Sequence, residues 1–220
     1  MYDHSKSPGS SQQWSYFKEL PVGRAGGSLV YDKVRNALFF SGGAERPVAG
    51  NANAVDYKDT WMYSFSNPGA GWVKKLDLPF LSNHMSFVTA KDQTGKNRLY
   101  FLAGQVGENE WSGNVKSNYE WDAVNETWIK RKDLPVARGH AASSTRAIGC
   151  GFIIAGGAVN GGKTKDVTYY DIPSDSWTKI GDLPNAVNTP VCDIDFAGGY
   201  LYCETGYVNG FYSYRIKITV

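Results

Sequence analysis

The chain has 220 residues, 42% of them hydrophobic and 20% charged, with a formal net charge of +2. That balance suits a chain that buries a core, and it supplies no basic field that would make nucleic acid or an anionic membrane the default partner. No apolar run approaches the roughly 20 residues of a membrane-spanning helix, and the first fourteen residues are polar, with no apolar core of an export signal.

With 25 glycines and 14% aromatic residues, the composition favours short strands joined by tight turns. After Leu20-Pro21 the first predicted strand is Gly26 to Tyr31, followed by a polar turn at Asp32 to Asn36. The apolar run Ala37-Leu38-Phe39-Phe40, closed by Gly42-Gly43, reads as a buried strand. A long loop leads to an alternating strand, Thr60 to Phe65, and the turn Asn67-Pro68-Gly69 leads to a fourth strand opening at Trp72. The same series returns as Ser86 to Ala90, Leu99 to Gly104, Asn118 to Trp121 and Trp128 onward. It returns again as Ala141 to Thr145, Phe152 to Gly157, Val167 to Asp171 and Trp177 onward. The last series, Val191 to Phe196, Gly199 to Thr205 and Phe211 to Ile218, has no fourth member.

One phrase punctuates these series: a tryptophan, five residues, then Leu-Pro. It occurs at Trp14, Trp72, Trp128 and Trp177, which lie 58, 56 and 49 residues apart. A period near 50 with this texture marks a repeat architecture. The predicted repeats run about 22–78, 79–134, 135–183 and 184–220, the last taking 14–21 as its missing strand; residues 1–13 form a polar leading segment.

An apolar strand ending in Gly-Gly (Gly42-Gly43, Gly156-Gly157), a tyrosine in the next strand (Tyr63, Tyr119, Tyr170) and a following tryptophan resemble the kelch repeat family. Ala103-Gly104 and Thr205-Gly206 depart from the glycine pair. The resemblance implies an all-β fold: a kelch-type β-propeller of four-stranded antiparallel blades around a channel. Blades converge on the axis, so glycines at inner strand ends permit close backbone approach, and large outer-strand aromatics fill the widening wedge.

Two readings of the ends stand. Either Trp14 to Leu20 pairs with Phe211 to Ile218 and closes a four-bladed ring, or the chain is part of a six- or seven-bladed propeller. The second is prompted by Met1 to Trp14, which resembles the end of a third strand, its turn and the start of a fourth. It would make missing blades of a longer chain one of the partners.

Cys192 and Cys203 flank Ala197-Gly198, and a two-residue hairpin there sets them opposite each other, within disulfide reach. A bridge, together with the glycosylation-type triplet Asn125-Glu126-Thr127, would point to an extracellular setting. Two buried thiols and a plain asparagine turn explain the same residues.

Function is expected on the loops joining strand two to strand three and blade to blade, which share one face in the family. The candidate ligand-binding residues are Arg24, Glu45, Arg46, His84, Glu110, Trp111, Arg138 and His140. Trp111 falls outside the strand pattern, and an indole beside carboxylates suits a sugar ring or a partner side chain. Arg24 and Arg138 each follow the Leu-Pro proline by three residues, and His84 and His140 by five. Two histidines near a channel could bind metal, yet no third ligand of fixed spacing accompanies them, so no metal, cofactor or catalytic residue is assigned. The leading reading is a non-catalytic module that binds a protein or glycan. Its alternative is an enzyme on the same scaffold: a copper radical oxidase, or a sugar epimerase using groups such as Glu45, Arg46 or His140.

Overall fold

The computed structural model describes residues 16–45, 55–109, 111–206 and 211–218. Trp14, Arg46 and Glu110 lie outside the described residues. Four antiparallel sheets form the four blades of a β-propeller. Blade 1 holds β1 (Ser28–Asp32), β2 (Ala37–Ser41), the small loop pair β3 (Ala44–Glu45) and β4 (Val55–Asp56), then β5 (Thr60–Ser64) and β6 (Trp72–Lys75). Blade 2 holds β7 (Ser86–Lys91), β8 (Asn97–Leu102), β9 (Asn118–Asp122) and β10 (Thr127–Lys130). Blade 3 runs through β11 (Arg138–Gly139), β12 (Thr145–Ile148), β13 (Gly151–Ala155), β14 (Ala158–Val159), β15 (Gly162–Asp171) and β16 (Ser176–Val187). Blade 4 holds β17 (Val191–Asp195), β18 (Tyr200–Gly206) and β19 (Phe211–Lys217).

The continuous apolar runs have a direct cause. The second strand of a blade has neighbouring blades on both faces, so Leu99 to Leu102 of β8 and all of β13 are buried. Three apolar layers separate the blades. Val30, Phe39 and Leu78 meet Leu99, Phe101 and Trp121; Tyr100 and Leu102 meet Phe152 and Tyr170; Ile153 and Val167 meet Ile194 and Leu201. The repeated tryptophan fastens each blade to the one before it: Trp128 Nε1 donates to Leu76 O at 3.0 Å, and Trp177 Nε1 to Lys132 O at 2.9 Å. In blade 1 the equivalent Trp72 Nε1 is buried with no such partner.

At the opposite end from the loops, aspartates set the hairpins. Asp32, Asp92, Asp122, Asp171 and Asp195 each accept a backbone N–H two or three residues ahead, as side-chain turns do.

The glycine pairs sit where blades touch. A Cβ on Gly42 would fall 2.5 Å from Ser82 O of the next blade, and its φ of +64° lies in the left-handed region. Ala103, in the matching place of blade 2, takes φ 60° despite its side chain.

Several expectations are corrected in detail. Ala141 to Thr145 is not a strand: Ala142–Ser144 form a 3-10 turn and β12 starts at Thr145. The Ser144 and Thr145 hydroxyls both donate to Ala141 O, at 3.0 and 2.8 Å, and so favour a turn over a ladder. In blade 2 the place of Tyr63 and Tyr170 is taken by Trp121, because Trp121, not Tyr119, pairs with Trp128. The Cys192 hairpin turns over four residues, Phe196 to Gly199, yet an even loop preserves the register. Cys192 faces Cys203 and their sulfurs are joined. Asn125 donates its side chain to Asp122 Oδ2 at 2.6 Å in an exposed turn.

At the ends, β19 pairs with β18 and with no other strand among the described residues. Residues 16–20 form no strand; Phe17 packs its ring 5.0 Å from Tyr63 and 5.7 Å from Phe65, against blade 1.

Candidate functional site

The Leu-Pro phrases at Leu78, Leu134 and Leu183 carry the chain from an outer strand to the lead-in of the next blade, and all three leucines are buried. The lead-in that follows is bonded to the loop of its own blade. Ala25 bridges Ala44, Asn83 bridges Gln105, and Gly139 pairs with Ala158. These pairings bring lead-ins and loops to one end of the propeller, forming its mouth.

A backbone collar ties the lead-ins together there. His84 N donates to Gly26 O at 2.7 Å, and His140 N donates to His84 O at 3.1 Å. Gly26, His84 and His140 all take positive φ, at +63°, 47° and 57°. The two imidazoles stack with centroids 4.1 Å apart and planes 21° from parallel. A Cβ on Gly26 would lie 3.0 Å from the His84 ring, so glycine leaves room for the stack.

Two buried amides hold these rings. Asn83 Nδ2 donates to Asp56 Oδ1 and, at 3.1 Å, to Gly107 O, while its Oδ1 faces His84 Nδ1. Gln105 Nε2 donates to Gly107 O at 2.9 Å, and its Oε1 lies 2.7 Å from His140 Nε2. Gly107 N in turn donates to Asp56 Oδ2. Asp56 belongs to the blade 1 loop and Gly107 to the blade 2 loop, so the histidine pair is wired across two blades. Beside it lies a depression of about 160 Å³ lined by His84, His140, Ala142, Ser143, Thr189 and Pro190.

Arg24 and Glu45 are brought together through Tyr57. The Arg24 guanidinium lies 3.4 Å from the Tyr57 ring centroid and 3.5 Å from Asp59, and Tyr57 OH donates to Glu45 Oε2 at 2.8 Å. The hydrogen bond to the Glu45 carboxylate raises the Tyr57 pKa. Trp111 is exposed at 39%, and its carbonyl accepts from Gly161 N at 2.8 Å, joining the blade 2 and blade 3 loops.

Arg138 is corrected: it is fully buried and cannot face a ligand. Its Nη1 donates to Ile154 O, Gly156 O and Asp166 O, at 3.3, 3.1 and 3.4 Å. Burial lowers its pKa to about 10. Arg46 and Glu110 lie outside the described residues. Sequence reasoning missed Asp56, Tyr57, Asn83, Gln105 and Gly107. The one available signal was the placing of Asn83 and Gln105 directly beside His84 and the Ala103-Gly104 pair.

A copper radical centre was weighed as an alternative, and the described residues do not fit it. It takes two tyrosines, two histidines and a cysteine cross-linked to tyrosine. Here Cys192 and Cys203 are joined to each other, and Cys150 sits at the end of the β12–β13 hairpin remote from His140. No three His, Cys, Asp or Glu side chains converge among the described residues.

Fold and mouth define an all-β propeller with a loop-built face. No protein-family model matches the chain. Two galactose oxidase sequences of Gibberella zeae, one of them from strain PH-1, are each 24% identical to it over 188 residues. The match covers 86% of this chain and 25% of each relative, so the chain spans a quarter of the length of the curated relatives it matches. The solved structure of YjhT aligns with TM-score 0.61 at 16% identity, covering 82% of this chain and 58% of that one. That likeness concerns the fold alone.

Proposed function

We propose that the chain is a kelch-repeat propeller, one domain, that binds a protein or glycan partner at the mouth. Arg24, Glu45, His84, Trp111 and His140 are its contact residues, with Arg46 and Glu110 in the same loops. The observation that carries this reading is the wiring of loops from three blades into one surface around the stacked histidines and their depression. Regular blades with individual loops are the usual division between scaffold and binding surface. The test compares the glycans and proteins retained by the immobilised chain with those retained by a Trp111→Ala, His140→Ala double variant of matched thermal stability. The expected result is at least a tenfold loss of affinity, about 1.4 kcal/mol. Equal retention by both proteins would remove the mouth from the account.

The likeness to galactose oxidase favours a second reading, a sugar-active enzyme at the same mouth. Incubation with D-galactose, assayed for epimer formation, separates it from simple binding.

A further inference from the structure

Blades 2 and 3 close their outer hairpins with the same turn. In blade 3 it runs Asp171-Ile172-Pro173-Ser174-Asp175-Ser176, and in blade 2 Asp122-Ala123-Val124-Asn125-Glu126-Thr127. The ladders align the two, since Asp171 pairs with Ser176 and Asp122 with Thr127. Asp175 and Glu126 both take left-handed φ, at 48° and 49°. In each turn the fourth residue bonds back to the opening aspartate: Ser174 N donates to Asp171 Oδ2 at 2.9 Å, and Asn125 Nδ2 to Asp122 Oδ2 at 2.6 Å. A serine therefore meets the demands of this turn, and the turn does not dictate an amide. In blade 2 the amide is followed by Glu126 and then Thr127, and Asn-X-Ser/Thr with X other than proline occurs nowhere else in the chain.

We propose that Asn125 carries an N-linked glycan. The turn is the tip of the hairpin between β9 and the edge strand β10, with Asn125 exposed and Thr127 partly exposed. Val124 beside it is 82% exposed and offers apolar surface to the C–H face of the first sugar. The hairpin lies at the end opposite the mouth, so a glycan there leaves the mouth open, and the proposal stands apart from the reading of the mouth.

The transfer takes an oligosaccharide on a lipid pyrophosphate as donor. Nδ2 bonds to the sugar C1, the bond from C1 to the phosphate oxygen breaks, the lipid pyrophosphate leaves, and Nδ2 gives up one proton. The substituted amide keeps its second N–H, and the turn uses only one, toward Asp122. The turn therefore survives the modification. Blade 4 marks the same compartment independently: Cys192 and Cys203 are joined, and disulfide formation and glycan transfer both belong to the export route.

The test is peptide mass spectrometry of the full chain isolated from its own source, before and after an amidase that cleaves the Asn–glycan bond in heavy-oxygen water. The expected result is one glycan, at Asn125 alone, whose removal leaves aspartate carrying the heavy oxygen at that position. Asn125→Gln and Thr127→Ala, produced in the same source, should each abolish it, and Thr127→Ser should retain it. Thr127→Ala leaves Asn125 and its bond to Asp122 in place, so its effect separates recognition of the acceptor from the structure of the turn. Unmodified Asn125 in the chain from its source overturns the proposal, whatever the state of the cysteines. So does a glycan that persists in Thr127→Ala.

Discussion

Arg24 and Arg138 occupy the same step of the repeat in blades 1 and 3, and their side chains end in opposite places. In blade 3 a short hairpin follows the glycine pair, and the guanidinium folds inward under Gly156 to bond three carbonyls. In blade 1 a long loop follows the pair and supplies Tyr57 and Asp59, and the same side chain lies across the tyrosine ring at the mouth. The repeat dictates where the backbone goes. The loop that comes next decides whether the guanidinium is spent on the carbonyls of the blade or on side chains of the loop itself.

The largest test of this contrast is Arg138→Ala. Truncation leaves three buried carbonyls short of a donor and opens a cavity, for an expected loss of about 3–5 kcal/mol in urea unfolding. Nε and Nη2 have no partner, so Arg138→Met, which keeps the stem and removes the buried charge, should recover part of that loss. Equal values for the two variants would assign the effect to the lost hydrogen bonds rather than to packing.

Blade 4 has Val187 at this step and holds its inner strands with the Cys192–Cys203 bridge instead. Reduction should lower stability by about 2–3 kcal/mol, from the loop entropy of a separation of 11 residues. Thiol titration of the native protein should find one reactive cysteine, Cys150, before reduction and three after.

Arg24→Ala should cost less than Arg138→Ala, about 1–2 kcal/mol, the worth of a cation–π contact and a largely buried ion pair at 3.5 Å. A loss as large as that of Arg138→Ala would erase the distinction between the two arginines.

The acid limb offers a smaller test among paired charges. Hydrogen bonds from Thr94, then Arg98, hold the Asp92 carboxyl well below the ordinary range. A depressed folded-state pKa contributes stability above about pH 4 that is lost as pH falls toward that lowered value. Asp92→Asn should therefore flatten the fall in stability below pH 4 and leave its pH dependence above 6 unchanged. Trp111→Ala should change stability least, within about 0.5 kcal/mol, since it is exposed and lies off the blades.

The strands were legible because cross-strand pairing imposes a period that the sequence must obey. The Trp-to-Leu-Pro phrase, the apolar second strands and the facing cysteines all express that period. Tyr119 misled because spacing from the tryptophan varies with the intervening turn, and only the ladder identifies Trp121 as the counterpart of Tyr63. The mouth was legible in part. His84 and His140 share a repeat position and do meet, but the groups that orient them are short polar residues in turns. Asp56, Asn83 and Gln105 look like ordinary turn formers until the loops of two blades are brought together. Tyr57 lay one step outside the strand pattern, and the burial of Arg138 depends on a hairpin twenty residues downstream.

The indole bonds at the outer rim bear on how the molecule comes apart. Trp128 and Trp177 each reach back to a carbonyl of the blade before, so pulling one blade away both strips an aromatic wall from its neighbour and severs a hydrogen bond there. Blades 1 to 3 should then melt together as one cooperative block, with the amides of their facing strands exchanging at a common rate. Fraying should begin at the outer margin of blade 1, where Trp72 Nε1 makes no such bond.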